Sequence, residues 1–314
     1  MNVATAKERS CLDQPFLKVE YMNVVQKRRI IHQRYFIDLE KYPALRKTPV
    51  NRVLLFTNAR DEKNMKEWAA HHLLIGFSLI YIFDHKSKIP LKQVFHNFDN
   101  RVIVERCELD IAPKTPLMKK AANIAASLKA DWFIYLDSDE FMNIGNYKNI
   151  KQLLNNYQFA DSLAINWLYF GTNNHVKEPS GLIMENYTKS CSNIDRHVKT
   201  FVRPSQVLSV HNPHFYVIVN HHRMFSLDGR QVNVNLPAFH LWNIEFDKCP
   251  AYIAHYINQS EETYINRKIL LPRDDFIAFR SQNKNIHREY NEVDNHSLST
   301  KYVEQVKLFL SKKN

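Results

Sequence analysis

Trp132-Phe133-Ile134-Tyr135-Leu136-Asp137-Ser138-Asp139-Glu140-Phe141-Met142 is an apolar run that ends in three acids spread over four positions. Its first five residues are aromatic or branched, with no polar alternation, which is the pattern of a central strand covered on both faces. In open parallel α/β sheets ligands bind just beyond the carboxyl ends of the strands, so Asp137 and Asp139 are expected in a crevice and not in the core. Two carboxylates one residue apart can share a hard divalent cation. Oxygen ligands suit Mg²⁺ or Mn²⁺, which keep waters and complete their shell with substrate phosphates. An isolated Asp-x-Asp is more often a solvated strand-end turn, so the flanking chain has to decide.

Upstream, Val53-Leu54-Leu55-Phe56-Thr57 is strand-like and stops at Asn58-Ala59-Arg60-Asp61-Glu62. Met65, Trp68, Ala69 and His72 then recur at helical spacing, and Gly76 fits a helix C-terminus. Leu79 to Phe83 is a second strand ending in Asp84, and Arg101 to Glu105 a third. Pro116 sits where a proline opens a helix, with Leu117, Ala121, Ile124, Ala125 and Leu128 on its buried face. This β-α-β-loop-β-α-β order predicts a mostly parallel α/β sheet flanked by helices. Three acid-tipped strand ends, Asp61/Glu62, Asp84 and Asp137/Asp139, would then share one edge. Such carboxylates repel unless a cation or a hydrogen-bonding ligand intervenes. Further along, Ser162 to Trp167, Val198 to Val202 and Val217 to Val219 read as strands. Gly171, Gly181 and Gly229 are expected in turns of positive φ. Tyr302, Val303, Val306, Phe309 and Leu310 mark a C-terminal amphipathic helix.

The 314 residues suffice for one large domain with additions at both ends: a basic extension over 1–49, a core over 50–275, and a linker with the amphipathic helix over 276–314. There are 43 basic against 32 acidic residues, a net charge of +11, which points to a polyanionic partner: a phosphorylated substrate, an anionic membrane surface or nucleic acid. The basic residues are scattered and the best motif is acidic, which counts against nucleic acid. Cys11, Cys107, Cys191 and Cys249 form no Cys-x-x-Cys pair, so neither a zinc site nor a dense disulfide framework is expected, and a reducing compartment is the default. With no apolar leader or spanning run, a cytoplasmic protein is expected, at most peripheral to a membrane.

The ordered set of motifs resembles the GT-A glycosyltransferases, and more narrowly the family-2-like group that shades into family 92. It comprises Asn58-Ala59-Arg60-Asp61-Glu62 with Glu67-Trp68-x-x-His71-His72 and Gly76-Phe77; Ile82-Phe83-Asp84; Leu136 to Phe141; Asn166-Trp167-x-x-Phe170-Gly171; Val198 to Pro204; and His255-Tyr256-x-x-x-Ser260-x-Glu262. The resemblance covers roughly residues 50 to 270. It implies a GT-A-type fold and a metal-dependent hexosyl- or pentosyltransferase that uses a UDP- or GDP-linked sugar. The acceptor would be a glycan, glycolipid or glycoprotein hydroxyl, and transfer would invert the anomeric centre. Carried over residue by residue, Arg60, Asp61, Glu62 and Asp84 would hold the nucleoside, and Asp137 and Asp139 would be the Asp-x-Asp of a Mn²⁺ or Mg²⁺ site. His255 would join them at the metal or diphosphate, with His211 and His240 as alternatives, and an imidazole ligand favours Mn²⁺. Thr172-Asn173-Asn174-His175 departs from the Ser-x-Gly turn common in relatives.

Glycosyl transfer leaves a nucleoside diphosphate, whose charge must be stabilised. Lys199 is a candidate for that contact and Arg203 a weaker one. An inverting enzyme also needs a base for the acceptor hydroxyl, and Glu185 and Asp195 lie in the right interval. Of the rivals, a haloacid dehalogenase would open with its Asp-x-Asp and carry Thr or Val where Phe141 stands. A nucleotidyltransferase would want a glycine-rich loop, and Asn58 to Asn64 has no glycine. A non-catalytic carbohydrate- or nucleic-acid-binding protein would have no need of both carboxylates.

Overall fold

The structure is a computed structural model that describes residues 48–110, 112–229, 231–232, 250–273, 278–283 and 285–313. Most of the expected 1–49 extension and His240 lie outside these residues. Strand β1 (Val53–Ala59) is buried along its whole length. Helix α1 (Met65–Leu74) follows and ends at Gly76, whose φ of +102° suits glycine. Strand β2 (Leu79–His85), helix α2 (Leu91–Val94), strand β3 (Val102–Cys107) and helix α3 (Lys114–Ser127) lead to β4 (Trp132–Tyr135). Next come β5 (Glu140–Asn143), α4 (Ile150–Asn155), β6 (Ser162–Tyr169), α5 (Ile183–Asn186), β7 (Lys189–Ser190) and β8 (Val198–Val202). The hairpin of β9 (Val207–Asn212) and β10 (Phe215–Ile218) precedes β11 (Met224–Ser226), β12 (Tyr252–His255), α6 (Glu261–Tyr264), β13 (Val293–Asp294) and α7 (Ser297–Ser311).

The main sheet runs β3-β2-β1-β4-β8-β6-β12-β5, with β11 beside β6. Its first four strands are parallel, as the βαβ reading requires. The other half makes the sheet mixed: β8 is antiparallel to both β4 and β6, and β5 to β12, whereas β12 and β11 run parallel to β6. Between β6 and β8 the chain forms only the four-residue α5 and the two-residue β7, so no full crossover helix of the kind that joins parallel neighbours packs there. Side chains alternate between two covered faces. Leu55, Ile82 and Ile134 belong to the core that includes Trp68 and Tyr302, while Leu54, Phe56, Phe133 and Tyr135 pack with Leu117 and Tyr216. Among the described residues no helix is long and apolar enough to cross a membrane.

Helix α1 clamps β5 through backbone-directed bonds. Trp68 Nε1 donates to Glu140 O at 2.8 Å, His71 Nε2 to Met142 O at 2.8 Å, and Met142 N donates to His72 Nε2 at 3.3 Å. Burial lowers His71 to about 4 and His72 well below its usual value, so both are neutral core groups. Tyr302 of α7 packs on the His71 ring at 4.8 Å. Glu67 turns the other way and accepts from Ile183 N at 2.7 Å and Met184 N at 3.0 Å.

Burial raises the Glu67 carboxyl to about 7, with the two backbone N–H groups acting against it. An unfolded Glu titrates near ~4.3, so the folded chain binds more protons between that value and 7, and stability falls as pH rises through this window. Glu67→Gln is expected to flatten the decline in urea-denaturation stability from pH 5 to 7 without abolishing it. Glu140 is also raised to about 7, by burial against the pull of Lys199 and Lys114. A slope identical to wild type would disprove the assignment.

One expectation about the glycines needs correction. Gly181 and Gly229 do have positive φ, but Gly171 does not; it is small because a Cβ there would meet Asn291 Oδ1 at 2.3 Å and Glu289 O at 2.8 Å. Cys107 is a free thiol, whereas Cys191 is disulfide-bonded to a partner outside the described residues. Such bonds persist mainly in oxidising compartments, and the cysteine spacing carries no sign of this one.

Candidate active site

Because β1, β2 and β4 run parallel, their C-terminal ends meet at one edge of the sheet. Strand β8, antiparallel to β4, brings its first residues to the same edge, and β12 delivers His255 opposite Glu140. A cleft of about 270 Å³ opens there. Its lining includes seven cationic side chains, Arg60, Lys114, Lys199, Arg267, Lys268, Arg273 and Arg280, against the carboxylates of Glu62, Asp137 and Asp139.

Asp137 is held by two lysines, Lys114 from the start of α3 and Lys199 from β8, the latter at 3.2 Å. Lys199 is 1 % exposed; it also donates to Pro213 O at 3.1 Å and stands 3.7 Å from Glu140 Oε1. Asp137 N donates to Glu140 Oε2 at 2.9 Å, which closes the acid turn on itself.

Asp139 is 1 % exposed, deeper than the crevice position expected for it. Helix α6 continues into a π-helical turn over Ile265–Ile269, which presents consecutive basic residues to this acid. Lys268 Nζ lies 2.8 Å and Arg267 Nη2 3.3 Å from Asp139 Oδ2, and Arg267 also grips Glu62 at 2.6 Å. Burial opposes ionisation of Asp139, but Lys268, His255 and Arg267 outweigh it and hold the carboxyl well below its usual range.

The donor set tests whether the divalent ion implied by the resemblance fits. Among the described residues no three or more His, Cys, Asp and Glu side chains converge as a metal cluster. A pair does converge. His255 Nε2 stands 3.4 Å from Asp139 Oδ1, and neither His255 ring nitrogen has a hydrogen-bond partner among the described residues. Two ligands each about 2.1 Å from one ion, at right angles, lie about 3 Å apart. Burial lowers His255 to about 4, so its lone pair is available at neutral pH. One carboxylate and one imidazole fit an ion that draws its remaining ligands from water and phosphate; both oxygens of Asp137 face lysines.

No family model matches the chain. It aligns with a glycosyltransferase family 92 protein of Oryza sativa subsp. japonica at 24 % identity over 221 residues, 65 % of this chain and 36 % of that protein. The chain is distantly similar to that family 92 protein. The match thus spans little more than a third of the length of that curated relative.

Of the residues expected at the site, Arg60, Glu62, Asp137, Asp139, Lys199 and His255 line the cleft. Other expected site residues have different partners. Asp61 accepts from Lys88 N at 2.7 Å, and Asp84 from Ser87 N and Leu91 N, each at 3.0 Å, so both hold the loop after β2. Glu185 is exposed and pairs with Lys307 of α7 at 2.7 Å. Arg203 donates to Ala160 O at 3.0 Å and lies over the Trp132 ring at 4.4 Å. His211 is exposed on β9. Asp195 lies behind His197, which does line the cleft. Sequence reasoning missed Lys114, His197, His214 and the basic set from Arg267 to Arg280. A charge count over that last stretch, next to the His255 motif, would have found it.

Proposed function

We propose that the protein is a glycosyltransferase that moves a hexosyl or pentosyl group from a UDP- or GDP-linked sugar to a hydroxyl of a glycan, glycolipid or glycoprotein. The observation that carries this reading is the excess of cationic side chains around a strand-end cleft. Two of their buried donors, Arg60 Nε and Arg267 Nη1, have no hydrogen-bond partner among the described residues. Buried donors are normally satisfied, and a diphosphate offers the missing acceptors together with several negative charges.

In this reading Asp139 and His255 hold Mn²⁺ or Mg²⁺, which when bound acts as a Lewis acid toward the diphosphate. Lys199, Lys114, Arg267 and Lys268 act as fixed donors around the departing phosphates, in a site whose burial strengthens each interaction. A single displacement with inversion suits the chain, because Asp137 and Asp139 are both tied to cations and neither is poised as a nucleophile.

Calorimetric titration with UDP and GDP, with Mn²⁺ or with EDTA, tests the proposal. Tight binding of one diphosphate is expected only with the metal, and His255→Ala is expected to weaken that binding roughly 10–100-fold, the range for loss of a metal-site group. Equal affinity in EDTA would remove the metal from the mechanism. Unchanged Mn²⁺-dependent affinity in His255→Ala would remove His255 from the metal.

A further inference from the structure

Trp167, near the end of β6, lies on the flank of the cleft away from β1 and β2, and His197 stacks on it with ring centroids 5.3 Å apart and planes 18° from parallel. Asp195 Oδ1 accepts from the His197 backbone N at 2.8 Å and pairs with its ring Nδ1 at 2.5 Å. The loop is pinned to β6 by Asp195 N to Trp167 O at 2.7 Å, Trp167 N to His197 O at 2.9 Å, and Asn166 Nδ2 to Asp195 O at 3.0 Å. A carboxylate on Nδ1 keeps the proton there, so Nε2 is the basic nitrogen of the neutral ring. His197 lines the cleft.

We propose that His197 is the general base of the transfer reaction, with Asp195 as its positioning residue. The assignment rests on the transferase reading above and follows from strand order. The acid turn after β4 lies between two flanks: β1 and β2 on one side, β8 and β6 on the other. With the nucleoside beside Arg60 and Glu62 on the first flank, an acceptor approaching opposite the departing diphosphate comes along the second, past His197. The acceptor hydroxyl gives its proton to Nε2 while its oxygen bonds to the anomeric carbon. The bond from that carbon to the diphosphate oxygen breaks, and its electron pair leaves with the diphosphate. Asp195 stabilises the imidazolium until the proton passes to water.

Among the described residues, the charged and titratable groups around the ring include Asp195 and Arg196 on its own loop, His214 from the β9–β10 hairpin at 5.6 Å, and Lys199 on β8. Beyond Asp195 stand Tyr169 and Tyr290. Lys199 is turned to Asp137. His214 is no rival base, since burial and the nearby Lys199 lower it to about 2.

The test uses wild type, His197→Ala, His197→Gln and Asp195→Asn, with UDP and GDP plus Mn²⁺ as binding probes and a panel of UDP- and GDP-sugars for turnover. The expected result is a 10²- to 10⁴-fold loss of kcat in both His197 variants, the range for a general base, with diphosphate Kd and Tm near wild type. Asp195→Asn should lose kcat in the same way, and added imidazole should restore turnover to His197→Ala. Undiminished kcat in the His197 variants, or a fall in diphosphate affinity matching the fall in kcat, overturns the base while the transferase reading stands. A wild type that binds neither UDP nor GDP overturns the transferase reading and the base with it.

Discussion

Asp139→Asn is expected to abolish sugar transfer and to loosen the π-helical turn over Ile265–Ile269 in the same step. The variant keeps the shape of the side chain and loses its charge. Lys268 is then left mostly buried with no paired carboxylate among the described residues, while Arg267 keeps Glu62. Breaking a buried pair by removing one partner costs about 3–5 kcal/mol, and most of that is the stranded charge. On the chemical side, the variant loses the oxygen that stands beside His255, and with it the pair that fits a metal. Turnover should fall by at least the roughly 10²–10³ that follows loss of one electrostatic stabiliser. The two effects separate in Asp139→Asn/Lys268→Met. Replacing both ions by uncharged groups should recover most of the stability, as measured by urea denaturation, while activity stays lost. Wild-type turnover in Asp139→Asn would remove this acid from the mechanism.

Lys199→Met is expected to have the second-largest effect. Methionine keeps the apolar stem against Trp167, whose ring lies 5.7 Å from the ammonium, but it takes the only cation within 4 Å of Glu140 among the described residues. Glu140 is fully buried, and its Oε1 has no hydrogen bond among the described residues. Without Lys199 it should bind a proton more readily, and the acid turn loses a fixed positive charge. Stability should fall by roughly 3 kcal/mol, at the low end for a broken buried pair, and diphosphate affinity should fall with it. Lys199→Arg should not rescue, because a planar fork cannot replace a compact ammonium packed among Asp137, Pro213 O and Glu140. Adding Glu140→Gln to Lys199→Met should return stability but not affinity. If affinity survives Lys199→Met, the lysine serves the fold alone.

Strands β1, β2, β4 and β8 were legible because unbroken apolar runs between polar turns allow little else. Their orientation in the second half of the sheet was not, since it depends on whether a connection folds as a crossover helix, which no single apolar run reports. The acids Asp137 and Asp139 were legible as the polar end of a buried strand. Their counterions were not: Lys114 is 23 residues away and Lys268 129 residues away along the chain, and a lysine in a loop carries no local sign of what it faces. His71 and His72 show the converse, polar residues in a conspicuous motif whose bonds all go to backbone. Asp61 and Asp84 are similar, being strand-end acids that accept from nearby backbone N–H groups. His197 was passed over for its neighbour Asp195, because a base one residue removed from an acid is recognisable only once the ring is seen in the cleft.

The disulfide at Cys191 bears on how the protein should be handled. That cysteine begins the loop that carries Asp195 and His197 into β8, and a cross-link removes configurational freedom from the chain it joins. Material made in a bacterial cytosol, or stored in dithiothreitol, would carry this loop untethered on one side. Purification from a secretory host without thiols keeps the molecule whose catalytic geometry is described above. Low activity from a reducing preparation would report the state of one sulfur bond rather than the wrong sugar.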